Sequence, residues 1–260
     1  HDIEHNKNYK LFFRFYRVAA IACCVLLVAI LLVAVSYLPP VGNADNPVNN
    51  EVAAKYIEDG MQETGAVNIV TGMILDYRAF DTFGESNVLF IATCTVLILM
   101  RNDKKDKNGV PETEKSDNRF EPKPDTILQK IAFVLVPIIM IFGIYVVLNG
   151  HISPGGGFSG GAIIGAGLIL YLNAFGFEKT ERFFTEKTYK YVSLCSLLFY
   201  CLAKSYSFFM GANHLETGIP LGTPGDIISS GLILPLNICV GLVVACTMYT
   251  FYALFRKGGF

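Results

Sequence analysis

Four charged residues stand among apolar neighbours in the stretch Gly65–Glu85, GAVNIVTGMILDYRAFDTFGE: Asp76, Arg78, Asp81 and Glu85. Asp81 and Glu85 are four residues apart, so on a helix their carboxylates share one face, where they can bind a cation or pass protons. The same residues also have a structural reading. Thr82-Phe-Gly-Glu85 has the spacing of a capping box, Asp81 suits an N-cap, and Asp76 can pair with Arg78 at a membrane interface. Charge at the centre of a membrane helix costs about 2.5–3.5 kcal/mol on insertion scales, so such residues normally face a partner or water. Paired carboxylates also serve glycosidases, but no other pattern in this chain suits a sugar.

A second group runs Asn149-Gly-His151-Ile-Ser-Pro154-Gly-Gly-Gly-Phe158-Ser-Gly-Gly161. Three glycines after Pro154 permit a non-helical turn, and non-helical backbone at membrane depth is confined to buried or cavity-lining places. A turn that reaches inside would put His151 and free carbonyls on an aqueous path. Gly157, Gly161 and Gly165 recur every four residues, which gives a smooth face for close helix packing. No Lys-Ser/Thr follows the glycines and no nucleotide-binding strand precedes them, so a Walker phosphate loop is excluded. Lys204 lies thirteen residues into a further apolar stretch that begins at Tyr191, about 10 Å from its outer end by helical rise. Either its amine snorkels to the interface or it is a buried cation paired with a carboxylate of this chain or a neighbour.

These groups need spans to hold them, and the composition provides them. The 260 residues are 52% hydrophobic and 17% charged, with a mean hydropathy of +0.44, whereas soluble domains carry about 25% charge. A bilayer core of about 30 Å needs roughly 20 apolar helical residues. Five stretches reach or approach that length: Val18–Leu38, Ile131–Asn149, Ser159–Phe177, Tyr191–Met210 and Ile227–Phe255. Ser86–Met100 is too short alone, so its helix is expected to begin near Thr82, drawing Glu85 into the membrane edge. Val18–Leu38 follows Arg14 and Arg17 as a signal peptide would, but it is too long for an h-region and ends in Tyr-Leu-Pro-Pro, so it reads as a retained span. Pro137 is expected to kink its span, and Pro235 and Asn237 to loosen the last one. The fold class is therefore all-α, an integral membrane protein of about six transmembrane helices.

Of 21 Lys and Arg residues, 17 fall on alternate segments: before the first span, around Arg101–Lys123, in Lys179–Lys190 and at Arg256 and Lys257. By the positive-inside rule both termini are expected to be cytoplasmic. The stretch 102–125 is rich in Lys, Asp, Glu and Asn and reads as a charged linker. It separates a two-span unit, 1–101, from a four-span unit, 126–260. Glu51–Thr64 suits a short surface helix. The net charge of −1 excludes nucleic acid as a partner. The seven cysteines lie in apolar runs without a C-x-x-C pair, which suits packing and gives this chain no iron–sulfur cluster of its own.

Val147–Asn173, with GHISPGGGFSGGAIIGAGLIL at its heart, and Gly222–Val244, GTPGDIISSGLILPLNICVGLVV, resemble the MnhB family, the B-type component of Mrp-type multisubunit Na+/H+ antiporters. They also resemble the corresponding component of Mrp-related membrane-bound hydrogenases. GAVNIVTGMILDYRAFDTFGESNVLFIATCTVLIL resembles the C-terminal tail of the A-type Mrp component, which those hydrogenases carry as a separate small membrane protein. The resemblance covers roughly 51–255 and departs from the family's closing motif at Val243, where a Lys is expected. It implies a fused subunit next to antiporter-like proton pumps in a prokaryotic cell membrane. Carried over by position, it implies that Asp81 and Glu85 line a sodium path, binding Na+ transiently, with Pro154 and Phe158 near it. Asp76, His151 and Lys204 complete the residues expected along an ion pathway.

The function expected is a non-catalytic membrane subunit of an Mrp-related ion-translocating complex. Its sodium- or proton-moving arm would be coupled to a membrane-bound hydrogenase or a similar ferredoxin- or NAD-linked redox complex. Iron–sulfur clusters and a hydrogenase-type metal centre would then belong to peripheral partner subunits, and this chain would hold no cofactor. Two alternatives stand beside it: a subunit of a free-standing Mrp antiporter, and a scaffold without an ion path.

Overall fold

The computed structural model describes residues 7–43, 46–100 and 125–257. The charged linker expected over 102–125 lies outside these, apart from Asp125. The described residues form helices without strands: α1 Lys7–Ser36, α2 Glu51–Glu58, α3 Gly60–Thr64 and α4 Ile69–Gly72, a π-helical turn Met73–Tyr77, then α5 Ala79–Leu99, α6 Thr126–Leu148, α7 Gly157–Thr180, α8 Glu186–Ala212 and α9 Ile233–Lys257. Six of them are long and apolar enough to cross a membrane: α1 from Phe12, and α5 to α9. The chain is thus a multi-pass, all-α membrane protein.

The chain divides into two compact units, His1–Ala54 and Lys55–Phe260. In the first, α1 is a single long helix. From Phe12 to Ser36 its side chains are exposed on every side except at Ala19, as expected of an apolar helix whose surroundings are lipid or another subunit.

In the second unit α9 is the central post, packed against α5, α7 and α8. The glycines of α7 set how close it comes. A Cβ on Gly157 would lie 2.5 Å from the Asn237 carbonyl oxygen, and one on Gly161 would lie 2.5 Å from that of Gly241. Neither could be accommodated without moving backbone, so the four-residue glycine spacing expected to favour close packing brings α7 directly onto α9. Deeper in the unit, Leu236, Val240 and Val244 of α9 join Ala66, Leu75 and Tyr200 in one apolar cluster. Val243, the position at which the resemblance leads to the expectation of a Lys, is buried at 1% exposure.

Local signals fix the helix ends. The Asp125 carboxylate accepts a hydrogen bond from the Ile127 N–H at 2.8 Å and caps α6, so the last residue of the expected linker belongs functionally to the helix. Thr185 caps α8 through the Thr188 N–H at 3.2 Å. Gly156, at φ +139°, opens α7. Gly176, at φ +78°, breaks α7 near its end, and Arg256 Nη1 donates to the Leu172 carbonyl there at 3.1 Å.

The last span is shorter than its apolar run suggests. Helix α9 begins at Ile233 and not Ile227, because Gly225, Ser230 and Gly231 take left-handed backbone conformations. The Ser230 N–H donates to Leu221 O, and its hydroxyl donates to Gly65 O at 2.8 Å. Hydropathy cannot register such a turn.

Substituting Gly161→Ala is expected to force α7 from α9 and to destabilise the protein by about 1–3 kcal/mol. Thermal melting of the purified protein in detergent checks this, with Gly211→Ala as the control, since a Cβ at Gly211 meets open space.

Candidate functional site

The π-helical turn arises where the chain passes from α4 to α5. Asn68 caps α4 by accepting from the Thr71 N–H. The Arg78 N–H then reaches back to Met73 O at 2.8 Å, a five-residue step that widens the turn. Thr82 Oγ1 donates to Ile74 O at 2.8 Å, satisfying a carbonyl of this turn. The Thr82 hydroxyl is thereby committed to the turn, and Arg78 stands at the N-cap of α5 without a side-chain cap bond. Because α5 begins at Ala79, Asp81 and Thr82 lie inside its first turns and not at its N-cap, so the capping box and the Asp81 cap suggested by the sequence do not start this helix.

The turn places Asp76 against α8. Lys204 Nζ donates to Asp76 Oδ1 at 2.9 Å; the Lys204 side chain is 5% exposed and that of Asp76 41%. Of the two readings for Lys204, the geometry is the buried cation with a carboxylate of its own chain. One helical turn before it, the Tyr200 hydroxyl donates to Ala79 O at 2.9 Å, and its ring stacks on Phe83 at 5.3 Å. Thus α8 grips the π-turn and the start of α5 at two successive turns. Arg78 pairs with Asp81 at 2.6 Å on the exposed surface, and not with Asp76. Asp81 and Glu85 are both exposed on α5, while Thr82 and Ser86 on the same helix are buried.

Residue Tyr77 anchors the outer side of this turn. Its hydroxyl donates to the Glu63 carboxylate, which also pairs with Lys55 at 3.0 Å, and its ring lies 4.9 Å from that of Tyr56. Hydrogen bonding from Tyr77 and Lys55 lowers the Glu63 pKa, and Glu63 raises that of Lys55. Burial, and then the bond to Glu63, raises that of Tyr77.

The glycine turn at 149–156 is non-helical and lies at the centre of a polar network. Asn68 Nδ2 donates to Gly150 O at 2.9 Å and Ser153 O at 3.0 Å, its backbone N–H donates to His151 O, and Thr71 Oγ1 donates to Gly150 O at 2.7 Å. His151 is fully buried, with Nε2 3.1 Å from the Asp226 carbonyl oxygen. Asn237 Oδ1 accepts from the Gly157 N–H at 2.8 Å. Phe158 packs against the cluster around Leu236 and Val240, and Pro154 is exposed.

The seven expected pathway residues therefore fall into separate groups: the Asp76–Lys204 pair, the exposed carboxylates Asp81 and Glu85, and the turn carrying His151, Pro154 and Phe158. The residues that tie these groups together, Asn68, Thr71 and Tyr200, escaped the sequence reading. An Asn before a short Ile-Val-Thr-Gly run is a capping signal, and a Tyr one turn from a buried Lys is a candidate support. Among the described residues, no group of three His, Cys, Asp or Glu could hold a metal ion.

Fold and site together define a multi-pass membrane protein in which a lysine–carboxylate pair joins two parts of the sequence. Residues 127–250 match MnhB, the domain related to the MnhB subunit of Na+/H+ antiporters, and residues 17–117 match MbhE, a subunit of MBH. An uncharacterized protein of Methanocaldococcus jannaschii is 33% identical over 198 residues, 70% of this chain and 74% of that protein. The B-type subunit of the Na(+)/H(+) antiporter of Bacillus subtilis is 38% identical over 91 residues, 35% of this chain and 63% of its own length. A chain of the membrane-bound sulfane sulfur reductase, an archaeal respiratory membrane complex, superposes with a TM-score of 0.69 at 25% identity, over 94% of this chain and 97% of that one. The chain belongs to the family of Mrp-related membrane subunits in which an MbhE-like segment precedes an MnhB-related domain.

The pair is unequal, and that sets the outcome of breaking it. Asp76→Asn leaves the buried Lys204 ammonium without its anion and is expected to destabilise by about 2–4 kcal/mol, whereas Lys204→Met leaves the more accessible Asp76 and costs less than about 1 kcal/mol. The double variant should recover most of the Asp76→Asn loss. Melting curves of the four proteins check the order.

Proposed function

We propose that this chain is a non-catalytic membrane subunit of an Mrp-related ion-translocating complex and supplies part of a sodium or proton path. The single observation that carries the reading is the Lys204–Asp76 pair: a buried ammonium within a membrane helix, bonded to a half-exposed carboxylate on a π-helical turn. Charge is kept at such a depth when something must meet it. One turn further on, Asp81 and Glu85 give α5 two carboxylates on its exposed side. A cation passing between this helix and a neighbouring subunit would exchange water for these oxygens. Arg78, already paired with Asp81, would compete with that cation and keep its stay short.

In this reading both termini are cytoplasmic, and antiporter-like proton pumps of the same complex lie beside the chain. The MbhE-like segment and the likeness to a respiratory complex support coupling to a redox arm. Iron–sulfur clusters and any hydrogenase-type metal centre would sit in peripheral subunits. The identity to the Bacillus subtilis antiporter protein favours a second reading, a subunit of a free-standing Na+/H+ antiporter. Purifying the native complex separates the two: co-purifying iron–sulfur proteins select the first.

Sodium-dependent transport is to be measured in vesicles holding the whole complex, after a native gel has established assembly. Glu85→Gln or Asp81→Asn is expected to lower the rate by about tenfold, equivalent to about 1.4 kcal/mol of barrier. Unchanged transport in an intact complex would reduce these carboxylates to surface ion-pairing groups and leave the chain with the role of a scaffold.

A further inference from the structure

Two side-chain atoms beneath the glycine turn are buried without a hydrogen-bond partner: His151 Nδ1 and Asn237 Nδ2. Both residues are almost wholly enclosed, at 0% and 3% exposure. They lie at one place in the fold. A Cβ on Gly150, the residue bonded to His151, would sit 2.4 Å from Asn237 Nδ2, and one on Gly156 would sit 3.4 Å from Asn237 Oδ1. Asn237 Oδ1 is already an acceptor for the Gly157 N–H, so the amide cannot rotate to hide its NH2 without losing that bond.

The partner of His151 Nε2 is a carbonyl oxygen, that of Asp226. A carbonyl only accepts, so Nε2 carries the hydrogen, and the neutral ring presents a lone pair at Nδ1. The turn therefore buries one acceptor without a donor and one donor without an acceptor, an arrangement that is costly unless water satisfies both groups. The segments bonded to this turn bring Asn68, Thr71, Asp226 and Asn237 against it. Of these only Asp226 titrates, and its side chain is exposed.

We propose that His151 and Asn237 hold a buried water site beneath the turn and that His151 Nδ1 takes up and returns a proton there. A hydrated proton delivers H+ to the Nδ1 lone pair and leaves water behind. The imidazolium keeps its Nε2–H bond to Asp226, so no rearrangement of the loop is needed. Return of H+ from Nδ1 to water restores the neutral ring. The Asn237 NH2 holds the water oxygen near the ring. The site takes its purpose from the transport role proposed above, but its detection does not depend on that role.

Exchange of the imidazole C2 hydrogen for deuterium, followed peptide by peptide by mass spectrometry on the intact complex, reports protonation and water access of each histidine. His151 is expected to exchange despite its burial and to follow a sigmoidal pH profile. Asn237→Asp keeps the acceptor for the Gly157 N–H and replaces the donor with an anion. It should raise the His151 midpoint by about one unit or more and leave that of His214 unchanged. No exchange at His151, a rate independent of pH, or an unmoved midpoint in the Asn237→Asp complex would each overturn the proposal. Should that variant fail to assemble, the wild-type profile decides alone: a sigmoid supports the site and its absence removes it. A titrating His151 together with unchanged transport in Glu85→Gln would keep the water site and remove the transport reading.

Discussion

Backbone N–H and C=O groups at membrane depth must find partners inside the protein, because hydrocarbon offers none. Most of this chain meets the constraint by being helical. Residues 149–156, the turn between α6 and α7, are not helical, and where that turn is buried, at Gly150, His151 and Gly156, the surrounding structure supplies the partners. Asn68 and Thr71 supply donors to the carbonyls of Gly150 and Ser153, the Asn68 N–H covers that of His151, and Asn237 accepts from the first N–H of α7. These partners come from segments more than 75 residues away on either side. The turn thus exists only when the region before α5, the α6–α7 hairpin and α9 are assembled together.

The same constraint explains why the glycines are spent where they are. With a Cβ at Gly157 or Gly161, α7 would stand off from α9, and Asn237 could no longer reach the Gly157 N–H. Close packing of helices and satisfaction of the turn are one requirement. Close α7–α9 packing and a buried non-helical turn, which looked like competing uses of the glycine motif in the sequence, are two consequences of the same contact.

Spans were legible because length and hydropathy determine them, and the placement of α5 through α8 follows the apolar counts to within a few residues. The start of α9 was not legible, because Ile227 and Ile228 are as apolar as any helix residue while the left-handed backbone at Ser230 and Gly231 stops the helix. At the site, Asp81 and Glu85 could be assigned to one face from their spacing alone. The partner of Asp76 could not. Arg78 is two residues away and Lys204 is 128 residues away, and only the π-helical turn, which no spacing rule anticipates, rotates Asp76 towards α8. The network of Asn68 was hidden for the same reason: hydrogen bonds between distant segments leave no local pattern.

The distribution of charge over α5 then carries the argument beyond this chain. Its buried side is lined by hydroxyls at Thr82, Ser86 and Thr93, while its carboxylates at Asp81 and Glu85 are exposed. Within the chain, Asp76 is already neutralised by Lys204, and Asp81 by Arg78. An exposed Glu85 beside apolar Val88 and Ile91 is expensive against lipid and inexpensive against a polar surface or water. The side of α5 that carries the carboxylates is therefore the side on which a complex has most to gain by placing another subunit, and a path that uses them would be completed there and not inside this fold.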